Sequence, residues 1–97
     1  MRISFTADVW AHGEEPGSWH FVTLPLEASA EIRDAVGPRP GFGSVPVVAT
    51  IGATSWRTSI FPESRSGCFV LPVKKAVRTA EELEAGVPCD VTVAVEV

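Results

Sequence analysis

The chain has 97 residues, 45% of them hydrophobic and 21% charged, with a formal net charge of −4. That length supplies one modest core and no second domain, and the composition is that of a folded globular domain rather than a disordered chain. The acidic balance disfavours nucleic acid as a partner, and no apolar run approaches the roughly 20 residues that span a bilayer.

"RISFTADVW" alternates Ile3, Phe5, Ala7 and Val9 against Arg2, Ser4, Thr6, Asp8 and Trp10, which predicts a first strand with one buried face. "AHGEEPGS" reads as a long hairpin loop, and "WHFVTL" as the second strand. Pro25 suits the entrance of a helix over Leu26 to Ala35, with Ala28, Ile32, Ala35 and Val36 inward. "VGPRPGFG" stops that helix. "SVPVVATIG" is the third strand, with Val45, Val47, Ala49 and Ile51 inward, and Pro46 puts its start at an edge or bulge. "TSWRTSIF" is the fourth strand, "PESRSG" a turn and "CFVLP" the fifth strand. Lys74 to Ala85 reads as a helix burying Val77, Ala80 and Leu83, with capping-box spacing for a restart at Thr79, and Gly86 and Pro88 end it. "CDVTVAVEV" closes the chain as a strand with Val91, Val93, Val95 and Val97 on one face.

"FVTLPLEASAEI" from Phe21 and "FVLPVKKAVRTA" from Phe69 both run strand, Leu-Pro, helix, at a spacing of about 48 residues. The expected fold is therefore mainly β: two ββαβ halves joined as a closed or partly open six-stranded β-barrel, with two short helices at its ends. An open α+β sandwich is the alternative. The segment Met1 to Gly13 lacks the pattern of a secretory signal, so a cytoplasmic setting is expected, in which Cys68 and Cys89 are buried thiols rather than a disulfide or zinc site.

"SFTADVW", "GSWHFVTLP", "SVPVVATIGATSWRTSIFP", "GCFVLPVKKAVRTA" and "DVTVAVEV" together resemble the bacterial family known as domain of unknown function 1905. The most specific part is Gly52 to Pro62, followed by Gly67 and the run ending at Arg78. The resemblance implies a small β-barrel, sometimes beside a second domain of the bacteriocin-protection type, and no established activity. Family members commonly place Gly-Asp before the last strand. Here the order is Gly86-Val87-Pro88-Cys89-Asp90, so only Asp90 supplies an acid there.

Between positions 57 and 78, Arg57, Arg65, Lys74, Lys75 and Arg78 face only Glu63, a segment of +4 on a chain whose remainder is −8. Lys74, Lys75 and Arg78 fall near a helix N-terminus, where charge and free amides together suit a carboxylate or phosphate. The competing reading is a solvated group paired with Glu81, Glu82 or strand acids. Trp56 and Arg57 are neighbours on a strand and point to opposite faces, so without a bulge they are not expected to share a pocket. Trp56 is then a core aromatic, and Arg57 either a solvated residue or an anion contact at a groove rim. Trp10, out of phase with its strand, is a ligand or oligomer contact or an ordinary exposed aromatic. His12 and His20 beside Glu14 and Glu15 match no metal-site spacing.

No nucleophile and base stand at a diagnostic spacing, so no residue is assigned to catalysis and no cofactor is implied. The first expectation is a non-enzymatic barrel binding a small anionic or aromatic ligand or a peptide at Arg57, Lys74, Lys75 and Arg78 with Trp56 or Trp10. The second is an assembly module, a homodimer among its forms, joined through open strand edges and Trp10. A DNA-binding barrel comes third, and an enzyme last.

Overall fold

The computed structural model describes residues 1–15, 17–38 and 43–96. In chain order the elements are β1 (Arg2–His12), β2 (Trp19–Thr23), α1 (Leu26–Val36), β3 (Val45–Ile51), β4 (Thr54–Glu63), β5 (Cys68–Pro72), α2 (Lys75–Ala80) and β6 (Pro88–Val95). The strands close into one ring, β1-β2-β5-β4-β3-β6, in which every neighbouring pair is antiparallel. The protein is a closed six-stranded barrel with two short helices, and the open sandwich is excluded.

Alternation along each strand gives the barrel its filling. Val45, Val47, Ala49 and Ile51 of β3, Trp56 and Ile60 of β4, Phe69 and Leu71 of β5, and Val91, Val93 and Val95 of β6 are buried in one cluster. Ile3, Phe5 and Ala7 of β1 pack against it, half-buried. β1 serves two neighbours: Arg2 to Asp8 pair with β6, and Val9 to His12 with β2. Because each strand has two partners, the open edges expected for an assembly module are absent among the described residues. Pro46 interrupts nothing, since it precedes the first β3–β6 pair, Val47 with Val95, and its β4 register has no bulge.

The helices cap opposite ends, because α1 follows β2 and α2 follows β5, two antiparallel neighbours. Pro25 is the N-cap of α1, and its carbonyl accepts the first helical bond from the Ser29 N–H at 2.9 Å. The buried stripe of α1 is Ala28, Ser29 and Ile32, rotated toward Ser29 from the expected face, which leaves Ala35 exposed. The Ser29 hydroxyl is wholly buried and accepts the Phe69 N–H at 3.0 Å, so it satisfies a backbone donor that the core would otherwise strand.

α2 is shorter than expected and does not restart at Thr79. The Glu82 N–H reaches the Thr79 carbonyl and the Leu83 N–H the Arg78 carbonyl at 2.8 Å, the paired bonds of a Schellman ending, with Glu82 itself at φ +53. Ala80 consequently lies exposed, while Leu83 folds back onto the core.

Asp90 lies in β6, where its carboxylate accepts the Thr6 hydroxyl at 2.6 Å, so it is a strand residue and not a turn acid. Both cysteines are free and buried. Burial, reinforced by Asp90 and Asp8, pushes the Cys89 thiol above its ordinary value of 9.0. Val97 and residues 39–42 of the expected breaker lie outside the described residues. Among those described, no helix is long and apolar enough to cross a membrane.

Candidate functional site

β5 stops early, and the site opens where it stops. It pairs with β2 as far as Phe21 with Pro72, and with β4 only over Phe61 to Glu63. Val73 still donates its N–H to the His20 carbonyl at 2.9 Å before the chain turns into α2. The start of β2 and the middle of β4 therefore flank a seam that no strand fills, with the β5–α2 junction beside it. This seam is a cleft of about 290 Å³, walled by Trp19 and His20 on one side, Trp56, Arg57 and Thr58 on the other, and Val73, Lys74, Lys75 and Arg78 at the junction.

Trp56 and Arg57 both line it, contrary to expectation, although the β3–β4 register carries no bulge and their burial alternates as it should. The physical reason is position. A pocket cut into a strand's free side reaches side chains of both faces, whereas a pocket on the sheet surface reaches one. Trp56 remains a core aromatic whose edge forms the cleft wall, and Arg57 stands exposed beside it.

Arg78 is half-buried, and its guanidinium donates to the Val73 carbonyl at 2.9 Å, which fixes the group at the cleft while leaving further N–H donors for a ligand. Lys74 and Lys75 are exposed. The described lining carries four cations and no carboxylate. Of the acids proposed as their partners, Glu81 is engaged elsewhere, accepting the Thr54 hydroxyl at 2.6 Å. With only six residues, α2 aligns few peptide dipoles, so the positive character of the cleft belongs to side chains rather than to a helix end.

The Gly52 to Pro62 stretch is what positions this wall. Gly52, at φ +59, opens the two-residue turn between β3 and β4, and the Glu81 carboxylate lies directly above it: a Cβ there would collide with Oε1. Gly52 and Thr54 together form the seat on which the end of α2 rests.

Trp10 is not part of the cleft. Its strand has no bulge at that point, and it lies on the outer wall, 36% exposed, with its indole N–H donating to the Thr23 hydroxyl at 2.8 Å and its ring 4.9 Å from that of Phe21. Beside smaller ones such as Thr58 and Val73, Trp19 and His20 are the aromatic lining residues that sequence reasoning missed. The signal was the abrupt start of β2 after a polar loop, which put both at a strand end beside whatever the barrel leaves open. The Nδ1 of His20 lies 2.7 Å from the Ser18 carbonyl; a carbonyl only accepts, so Nδ1 is the donor of that bond. Among the described residues no three of His, Cys, Asp and Glu converge as a metal requires.

The molecule is thus a small antiparallel barrel with a cation-lined seam at one capped end. Residues 5–93 match the family described as Domain of unknown function (DUF1905), and the chain belongs to it. A search of curated proteins finds no match.

Proposed function

We propose that this protein is a non-enzymatic binding barrel, bacterial and cytoplasmic, that takes a small anion or the acidic tail of a peptide in the seam beside α2. The observation that carries the reading is the lining: Arg57, Lys74, Lys75 and Arg78 without one carboxylate among the described residues, on a protein whose net charge is −4. A concave wall of one sign focuses the field and concentrates counter-ions there. The like charges of Lys74 and Arg78, four apart, repel slightly until an anion sits between them. Arg78 is held before any ligand arrives, which reduces the ordering that binding requires.

A duplicated origin of the two halves fits the same architecture. The Leu24 N–H donates to the Phe69 carbonyl and the Val73 N–H to the His20 carbonyl, so each half's strand is tied at its end to the start of the other's.

The test is a thermal-shift screen against phosphate, small carboxylates and short acidic peptides, on the native chain and on Arg57→Glu. Arg57 is the better variant than Arg78, since Arg78 also holds the Val73 carbonyl. A ligand-dependent rise in melting temperature that the folded variant loses is expected, because a ligand of the folded state stabilises it by mass action. An equal rise in both proteins, or none in either, overturns the reading.

The assembly reading keeps one observation, the outer-wall aromatic row in which Trp10 and Trp19 are exposed and Phe21 is half-buried between them. Sedimentation of a concentration-dependent dimer that Trp10→Ser disperses would favour it. DNA binding is weaker still, because the cations gather in one cleft instead of tracking along a face.

A further inference from the structure

We propose that the ligand of this cleft carries a planar aromatic ring beside its anionic group, and that Trp19 is the platform on which the ring stacks. The inference rests on the anion reading above and narrows it. Trp19 is 68% exposed, the most exposed large aromatic in the described chain. It is nevertheless not a loose side chain, since it ends an ordered row: Trp10 and Phe21 lie across from each other on β1 and β2 at 4.9 Å, and Phe21 and Trp19 share a face of β2 with ring centroids 6.2 Å apart and planes only 15° from parallel. Trp10 is tethered in turn by its bond to Thr23, so the row is fixed from one end.

Trp19 is also the one member of that row that lines the cleft. An aromatic row that terminates at a cation-lined seam offers two complementary surfaces side by side: a π-face for a ring, and Arg57, Lys74 and Arg78 for the charge. Offset stacking suits a planar ring, whereas a saturated ring of the same size gains only its buried area. The volume sets the size. At about 290 Å³ the cleft lies at the small end of ligand pockets, a size that suits one ring and one anionic group.

The experiment is an NMR titration of the ¹⁵N-labelled native chain with two matched pairs, benzoate against cyclohexanecarboxylate and phenyl phosphate against cyclohexyl phosphate. It is repeated on Trp19→Leu and Arg57→Glu, both changes at exposed positions that leave the core untouched. In at least one pair the aromatic member binds roughly five- to tenfold more tightly, shifting an indole N–H signal that Trp19→Leu removes. Trp19→Leu cancels the preference and leaves the saturated anion's affinity within about twofold. The pair that shows the preference identifies the anionic group as carboxylate or phosphate. Equal affinities within both pairs, or a preference that survives Trp19→Leu, overturn the proposal. If Arg57→Glu still abolishes binding of both members, the broader anion reading stands without the ring. If no probe moves any cleft signal, both readings fall together.

Discussion

The two ends of this barrel are capped by the same device and finished differently. At one end the eleven-residue α1 sinks Ala28, Ser29 and Ile32 into the opening, and a buried hydroxyl takes up the Phe69 amide. At the other, α2 has six residues, buries only Val77, and is held by a carboxylate seated on a glycine turn and a guanidinium bonded to a carbonyl. Arg33 of α1 also donates to the Gly67 carbonyl at 2.6 Å, and the cleft beside it, about 520 Å³, is lined by Asp34 as well as Arg33, so its charge is balanced. At α2 the Glu81 anchor lies outside the seam while the Arg78 anchor lines it, where part of its bonding capacity remains free and no carboxylate of the described lining balances it.

The largest expected effect breaks the first end. Ile32→Ala removes a fully buried side chain and is expected to cost about 3–4 kcal/mol in denaturant unfolding, against about 2 kcal/mol for Val77→Ala at the second end. Equal costs would mean that both helices are anchored by area alone. Gly52→Ala should follow, since its left-handed φ costs an L residue about 1–2 kcal/mol and the new methyl must also displace Glu81. Combining it with Glu81→Ala should remove the second part, so a double-mutant cycle with no coupling would refute the seat assigned to Gly52.

Ser29→Ala sharpens the contrast between neutral and charged anchors. It strands the Phe69 N–H in the core, an expected loss of about 1–2 kcal/mol, whereas Thr54→Val at the half-buried second end should cost under about 1 kcal/mol. The smallest effect is a pH dependence. Cys89 has a raised folded value, so its thiol stays neutral in the fold while the unfolded chain ionises from about pH 9. Stability should therefore be flat below that pH and fall above it until the folded thiol also ionises, and Cys89→Ala should lessen the fall.

Much of this architecture was legible before any coordinates. The Val45 to Ile51 and Val91 to Val95 alternations are unambiguous period-2 signals, and the paired Leu-Pro helices suggested how the strands would join. What escaped depended on partners distant in sequence. Ala35 and Ala80 are apolar but small, and periodicity alone could not say that the helical stripes would rotate away from them. Nothing near Ser29 in the chain reveals the backbone donor forty positions on that its buried hydroxyl accepts. At the site, Arg57, Lys74, Lys75 and Arg78 were visible as a charge segment, but their meeting with Trp19 and His20 depends on β5 ending short of β4, a matter of register. The rule that adjacent strand residues face apart holds for Trp56 and Arg57, and the seam makes it irrelevant to which of them a ligand meets.

The position of β6 in the ring has a consequence for how the chain reaches this state. It lies between β1 and β3, pairing with both, and some of its contacts join residues 88 positions apart, such as Ser4 with Thr92. Until this last strand arrives, β1 and β3 each present a bare edge, and the sheet made by the first five strands is an open template for its neighbours. During synthesis the ring closes only after β6, which follows the other five strands, has left the ribosome. Closure across such separations is slow, so the interval before β6 docks is when this protein is most exposed to aggregation.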